Sequence, residues 1–427
     1  MTVRDSMTHH NRSTTTHRPV RRRRFLQSVA LTGTAGAAAV AGCLGDDDDD
    51  EPDPDEPIVI GAIQPYSGPF APWGAAHQAG LEFAIDEVND DGGVLDREIE
   101  IEDADTGSDP GEGETIFRRF VEEDNAVAIV GPVDSDLGIR TAETAEEMEV
   151  PLFLHMSGTH AALTTDSRYT YRVGLPPAPT NARAIAELIE ELGYTSVAAI
   201  VADYAWGRAV ETSLGEFSPD GVDVGIDVFP VTEDDFTPGL RDLPDDIEAF
   251  IAKGHPPGSN SIAVQMNELG ISPELTTGGY FPPDVLVSAQ GQDVIESVNT
   301  THLHLTDVQS DEYQDLAERY YEATDERMTT YKAYGYVTGK LIAQAIEDAD
   351  STAPVDVSDA VRDISFDTVF RNPIEYTEWG ELDNIVHLYS QFEFEAPDFY
   401  PDGDWRLEEF YATSSLPAYN PDEFPLD

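Results

Sequence analysis

Ser135, Ser157 and Thr159 sit just beyond two short apolar runs, Ala126–Val130 and Val150–His155. Small hydroxyl residues at such places offer side-chain donors together with backbone amides that no helix or strand uses. That combination suits the carboxylate or amide of a small molecule. The same residues are common helix caps: Ser135 or Asp136 could cap the helical stretch Leu137–Glu147, so both readings stay open. Trp73 and Trp206, each followed by glycine, could wall a cavity or belong to a core. No nucleophile elbow, metalloprotease helix or phosphate-cradling loop occurs, and no catalytic residue is expected. His302-Leu303-His304 alternate, which predicts two histidines on one polar strand face. They fall short of the usual four-ligand zinc set, so neither metal nor cofactor is expected.

These residues need a frame, and the frame reads as alternating strands and helices. Ile58–Gln64 is an apolar strand, Ala75–Asn89 an amphipathic helix, Arg97–Ala104 an alternating strand and Glu112–Glu123 a second helix. Ala126–Val130, Leu137–Glu147 and Val150–His155 continue the succession. Gly131-Pro132 stops the first of these strands. Parallel strands joined by helices bring their following loops together at one sheet edge, where open α/β sheets bind ligands. Residues 170–305 repeat the pattern: Thr180–Leu192, Thr195–Val201, Arg208–Phe217, Ala249–Gly254 and Leu275–Gly279. Helices are then predicted at Asp311–Ala323, Thr330–Asp348 and Val357–Asp363. Tyr331, Tyr334 and Tyr336 read as packing residues.

The 427 residues hold 24 basic and 84 acidic side chains, a net charge of −60. The first 42 residues contain seven arginines and one aspartate, so the remainder carries 17 against 83, or −66. Lys253, Lys332 and Lys340 are the only lysines. Nucleic acid is excluded as a partner, because phosphate contacts need a basic face. With 40% apolar residues in periodic segments the chain is not disordered. Acidity with lysine depletion suits a halophile.

Residues 1–42 read as an export signal: Arg21–Arg24, Phe25-Leu26, then an apolar run too short to span a bilayer. The arginines resemble a twin-arginine signal. Val40-Ala41-Gly42-Cys43 resembles a lipobox, which makes Cys43 the expected lipid anchor to the outer face of the cell membrane. As the sole cysteine it also rules out an intrachain disulfide. Residues 43–56 form an acidic tether. Asn299-Thr300-Thr301 is a glycosylation sequon in a polar segment, with Asn299 the acceptor.

Pro65–Pro69, Trp73-Gly74, Gly80–Asn89, Gly92-Gly93, Gly131–Ser135 and Pro151–Thr165, in this order and spacing, resemble the periplasmic leucine/isoleucine/valine-binding family. The resemblance covers nearly all of residues 57–427. It implies an α/β fold of two Rossmann-like lobes with parallel sheets, joined by three crossings (the type I periplasmic-binding-protein fold). Lobe 1 would be 57–174 and 306–386, lobe 2 175–305 and 387–427. It further implies no enzyme but an extracytoplasmic receptor of an ABC importer, closing on an amino-acid-like solute of branched-chain type and delivering it to permease and ATPase subunits. Ser135, Ser157 and Thr159 would bind the solute; Trp73, Trp206, His255 and Tyr280 would shape the cavity. Tyr280 falls where amino-acid-binding relatives place a glutamate for the ammonium. Without that acid, Asp203, Asp284 or carbonyl groups would have to serve, and a short amide or urea is the alternative solute. A ligand sensor on the same fold is the alternative role.

Overall fold

A computed structural model describes residues 56–253, 258–278, 281–397, 404–422 and 425. The export signal, Cys43, nearly all of the acidic tether, His255 and Tyr280 lie outside the described residues.

The first succession runs β1 (Ile58–Gln64), α1 (Ala71–Asp90), β2 (Ile99–Asp105), α2 (Pro110–Glu122), β3 (Ala128–Val130), α3 (Ser135–Met148), β4 (Leu152–Leu154) and β5 (Thr170–Arg172). Its strands form a parallel sheet in the order β2-β1-β3-β4-β5. The inner strands β1, β3 and β4 are apolar on both faces and read as nearly continuous hydrophobic runs, whereas the edge strand β2 alternates with acidic residues. Side chains alternate between two cores: Ile60, Ala128 and Phe153 enter one, while Ile63, Ile129, Leu152 and Leu154 meet Phe117 and Phe120 in the other.

The second succession runs α4 (Ala178–Leu192), β6 (Ser196–Ala202), α5 (Ala205–Phe217), β7 (Asp223–Phe229), α6 (Thr237–Arg241), β8 (Ala249–Lys253), α7 (Gly258–Leu269), β9 (Leu275–Thr277), α8 (Pro283–Ser297) and β10 (Thr301–His304). Strands β7-β6-β8-β9 make a second parallel sheet. The chain then returns through α9 (Asp311–Thr324), α10 (Thr330–Ala349), α11 (Pro354–Arg362) and the short pair β11 (Ser365–Phe366) and β12 (Ile374–Glu375). It ends in β13 (Leu388–Glu393) and β14 (Arg406–Ala412), an antiparallel addition to β10.

Helix α10 packs backbone against backbone on α1. A Cβ at Gly80 would collide with the Lys332 carbonyl, and one at Gly335 with the His77 carbonyl. Beside this seam His77 and His155 stack with ring centres 3.6 Å apart, and Gln64 bonds both, at 3.1 and 2.9 Å. Burial holds the His77 imidazole neutral, down to about 3. Carboxylates are therefore not needed beside these rings. His302 and His304 correct an expectation: they lie on a buried face, not a polar one. His302 bonds Thr330 at 3.0 Å, and His304 bonds Ser390 and the Thr306 carbonyl, each at 2.8 Å. Tyr331 and Tyr334 are core residues and Tyr336 is partly buried beside them.

Candidate functional site

The two parallel sheets turn their C-terminal edges toward one another, and the same local device fixes an indole at each edge. After β1, Gly74 lets α1 start against the Pro65 carbonyl; after β6, Gly207 lets α5 start against the Ala202 carbonyl. A Cβ at either position would strike that oxygen, so only glycine permits the approach. Trp73 and Trp206 are thereby held in the first turn of their helices.

An unbroken series of rings links them. Phe281 lies 4.6 Å from Trp73, Trp73 6.0 Å from Phe70, Phe70 6.1 Å from Tyr204 and Tyr204 6.2 Å from Trp206. These are ordinary aromatic pair separations. The belt passes from the second succession to the first and back, so it spans the cleft twice. A polar contact runs alongside it. The Ala205 amide donates to Asp136 at 3.4 Å, and Arg208 lies 3.8 Å from Asp136 and 2.9 Å from Asp203.

The hydroxyl residues have unequal roles. The cap of α3 is Asp134, whose side chain accepts from the Leu137 amide at 2.8 Å; neither Ser135 nor Asp136 caps the helix. Ser135 is the first helical residue and is buried. Burial raises the Asp134 carboxyl to about 6, against the opposing pull of the Leu137 amide. Thr159 is a cap, accepting from the Ala161 amide at 3.3 Å at the head of a three-residue 3-10 turn. Ser157 is fully buried, and its Oγ has no hydrogen-bond partner among the described residues. Its neighbour Gly158 abuts the start of α5: a Cβ there would lie 2.5 Å from Trp206 Nε1. The Ser157-Gly158 loop thus meets Trp206, which the rings of Tyr204 and Phe70 join to Trp73; Ser135 and Thr159 make no described contact with either indole.

Beneath this loop lies a residue that local pattern did not single out. Arg172, wholly buried at the end of β5, pairs with Glu381 at 2.8 Å. It also donates to the Ser157 carbonyl and, at 3.1 Å, to the Thr159 carbonyl. Burial pushes the Glu381 carboxyl up, and Arg172 works against that push. With its donors committed to the loop and to Glu381, Arg172 braces the site. Asn299 is exposed and adopts a left-handed backbone (φ 51°), with its Nδ2 donating to the Pro273 carbonyl at 2.8 Å.

The largest trough among the described cavities, about 910 Å³, lies elsewhere, along α1, α9 and α10. Its cations are already paired: Arg319 with Glu87 and Asp315, Lys340 with Glu87, and Arg371 with Asp307 and Glu409. No cluster of three metal-ligating side chains occurs among the described residues. No described helix is long and apolar enough to cross a membrane.

Residues 57–389 match the periplasmic binding protein family over most of the chain. The chain belongs to that family. Membership brings small-molecule binding and an extracytoplasmic location. The Leu/Ile/Val-binding protein homolog 1 of Brucella suis is 26% identical over 336 residues, 76% of this chain and 87% of the relative. The branched-chain amino acid transporter substrate binding protein LivJ of Streptococcus pneumoniae, solved with isoleucine, superposes with a TM-score of 0.70. Identity there is 19%, covering 83% of this chain and all of that one. A solute binding protein of an ABC transporter from R. palustris, solved with benzoate, gives 0.67 at 17% identity, covering 86% and 98%. This periplasmic binding protein accordingly has the two-lobed type I fold.

Proposed function

We propose that the chain captures a small amino-acid-like solute, of branched-chain type, between lobes formed by residues 57–174 with 306–386 and 175–305 with 387–427. Closure is a hinge motion of the two lobes, and the loaded form delivers its solute to the permease of an ABC importer driven by ATPase subunits. The observation that carries this is the aromatic belt drawn from both successions, beside a buried Ser157 hydroxyl that has no partner among the described residues. A buried polar atom left unsatisfied costs free energy, and a bound solute would supply the missing bond. The names of the Brucella relative and of the isoleucine complex support the solute class.

Denaturing the protein purified at molar salt and identifying the released small molecules by mass spectrometry tests the reading. A single stoichiometric amino-acid-like solute is expected. No released solute, with no binding of any amino or organic acid by the stripped protein, would exclude it. Export through the arginine signal and anchoring through Cys43 complete the proposal. Cys43→Ser should release the protein or leave it unprocessed, and unchanged membrane retention would remove the anchor from it.

A further inference from the structure

The chain continues past β14, and past residue 389, where the match to the family ends. Residues 413–422 form neither helix nor strand, and Pro417 and Pro421 each fix one backbone angle and remove one amide donor. Such a segment keeps its place only where other elements hold it. Its start is fastened to the second succession: Tyr411 Oη and the Ser414 hydroxyl donate to Glu187 of α4 at 3.0 and 2.7 Å. The Thr413 amide donates to the His387 carbonyl at 2.9 Å, and the His387 amide returns a bond to the Thr413 hydroxyl at 3.0 Å. Its middle runs antiparallel beside the chain between β12 and β13. Leu416 pairs there with Ile385 at 2.8 and 3.1 Å, and the Ala418 amide donates to Asp383 at 3.0 Å. Arg183 of α4 donates to the Pro417 carbonyl at 3.1 Å.

Its end rests on the first succession. Tyr419, 3% exposed, packs edge-on against His160 with ring centres 5.7 Å apart, and the Thr165 hydroxyl donates to Asp422 at 2.8 Å. The Asp422 amide donates to the Asn420 side chain at 3.0 Å, which folds this end into a turn. His160 and Thr165 belong to the loop between β4 and β5 that carries Ser157 and Thr159. Arg172 holds the near end of that loop through its carbonyls, and the tail holds the far end. Glu381, the partner of Arg172, stands two residues before Asp383, so both holds meet on the chain between β12 and β13.

We propose that residues 413–422 are a hinge strap, which limits how far the two lobes open and so slows release of the solute. Glu187 and Thr165 belong to different lobes, so a hinge rotation moves one anchor against the other. Seven residues separate Ser414 from Asp422, and Leu416, Pro417, Ala418 and Tyr419 are all held between them, so the strap carries no slack. Wider opening must break the Thr165 bond and bring the Tyr419 ring into water. This rests on the two-lobed solute-receptor reading and adds to it a restraint outside the cleft.

Small-angle X-ray scattering of the unliganded protein in molar salt, and stopped-flow release of leucine as a probe of the proposed solute class, test the strap. A chain ended after Pro417 should show a larger radius of gyration than the native chain and release leucine at least about 10-fold faster, since more than one bond is lost. Asp422→Ala, at an exposed residue, should shift both quantities the same way, with release faster by roughly 2- to 12-fold, the range of one net hydrogen bond. Its unliganded melting temperature should stay at the native value. Asp422→Asn keeps an oxygen for the Thr165 hydroxyl and should match the native chain. A native value of either quantity in the folded, shortened chain overturns the strap, and a lowered melting temperature alone leaves these residues as packing only. Where the shortened chain does not fold, native values in Asp422→Ala overturn it instead. If the native chain binds no leucine, the radius of gyration decides the strap by itself, and capture of that solute class fails separately.

Discussion

Ser157 and Thr159 stand two residues apart and do opposite work. Thr159 spends its hydroxyl on the Ala161 amide, whereas the Ser157 hydroxyl waits for a partner. Ser157→Ala should therefore leave the unliganded melting temperature unchanged or slightly higher while weakening solute binding roughly 2- to 12-fold, as for a neutral hydrogen bond. Thr159→Val should cost about 1 kcal/mol of apo stability with little change in affinity. Calorimetry and titration with the released solute check both; a reversed pattern would exchange the two roles. Arg172→Met strands a buried Glu381, and breaking such a pair costs about 3–5 kcal/mol. Adding Glu381→Leu should recover most of that loss in denaturant titrations. A double variant no more stable than the single one would show that the bonds to the loop, not the ion pair, carry the effect.

At the scale of elements, much of the succession can be read from short-range pattern. The apolar runs at Ile58–Gln64 and Ser196–Ala202 and the Trp-Gly pairs after them stand out because burial on both faces leaves no polar interruption. Edge strand β7 (Asp223–Phe229) does not, since its aspartates and glycine suit an exposed edge and carry little hydrophobic pattern. Local pattern does not locate the cap of α3, because Asp134, Ser135 and Asp136 all have capping chemistry and only the backbone path chooses among them. Arg172 and Glu381 meet across more than two hundred residues, so no local spacing announces them. Asp134 makes its own prediction. Its folded carboxyl, raised to about 6, lies above the ~3.9 of an unfolded aspartate, so the cost of burying the charge is fully present above pH 6 and fades as pH falls toward 4. Asp134→Asn keeps a capping residue, and its stability advantage over the native chain should grow between pH 4 and 7. A pH-independent difference in melting temperature would contradict this. The Asp136–Arg208 latch is half exposed and is worth about 0–1 kcal/mol. Arg208→Ala should thus lower affinity by no more than about 5-fold, an effect lost in molar salt.

For the whole molecule, charge dominates. The carboxyl of Glu102 shows it locally: burial raises it, and Asp124 and Glu100 raise it further. With −66 beyond residue 42, like-charge repulsion should open the unliganded protein as salt is withdrawn. Diluting from molar salt to about 0.05 M lengthens the Debye screening length from about 3 Å to beyond 10 Å. Circular dichroism should record cooperative unfolding over that interval. A native spectrum and a native melting transition at the low end would remove the halophilic reading.

The scarcity and placement of lysine also decide how the protein meets reagents. Lys253 and Lys332 are buried, and Lys340 is held by Glu87 at 3.1 Å with only 24% of its side chain exposed. Among the lysines, an acylating reagent therefore finds Lys340 first on the folded chain, while Lys253 and Lys332 take up label only in molecules that have opened. The mass of the labelled chain becomes a census of folded and open molecules, taken at any salinity without an optical probe.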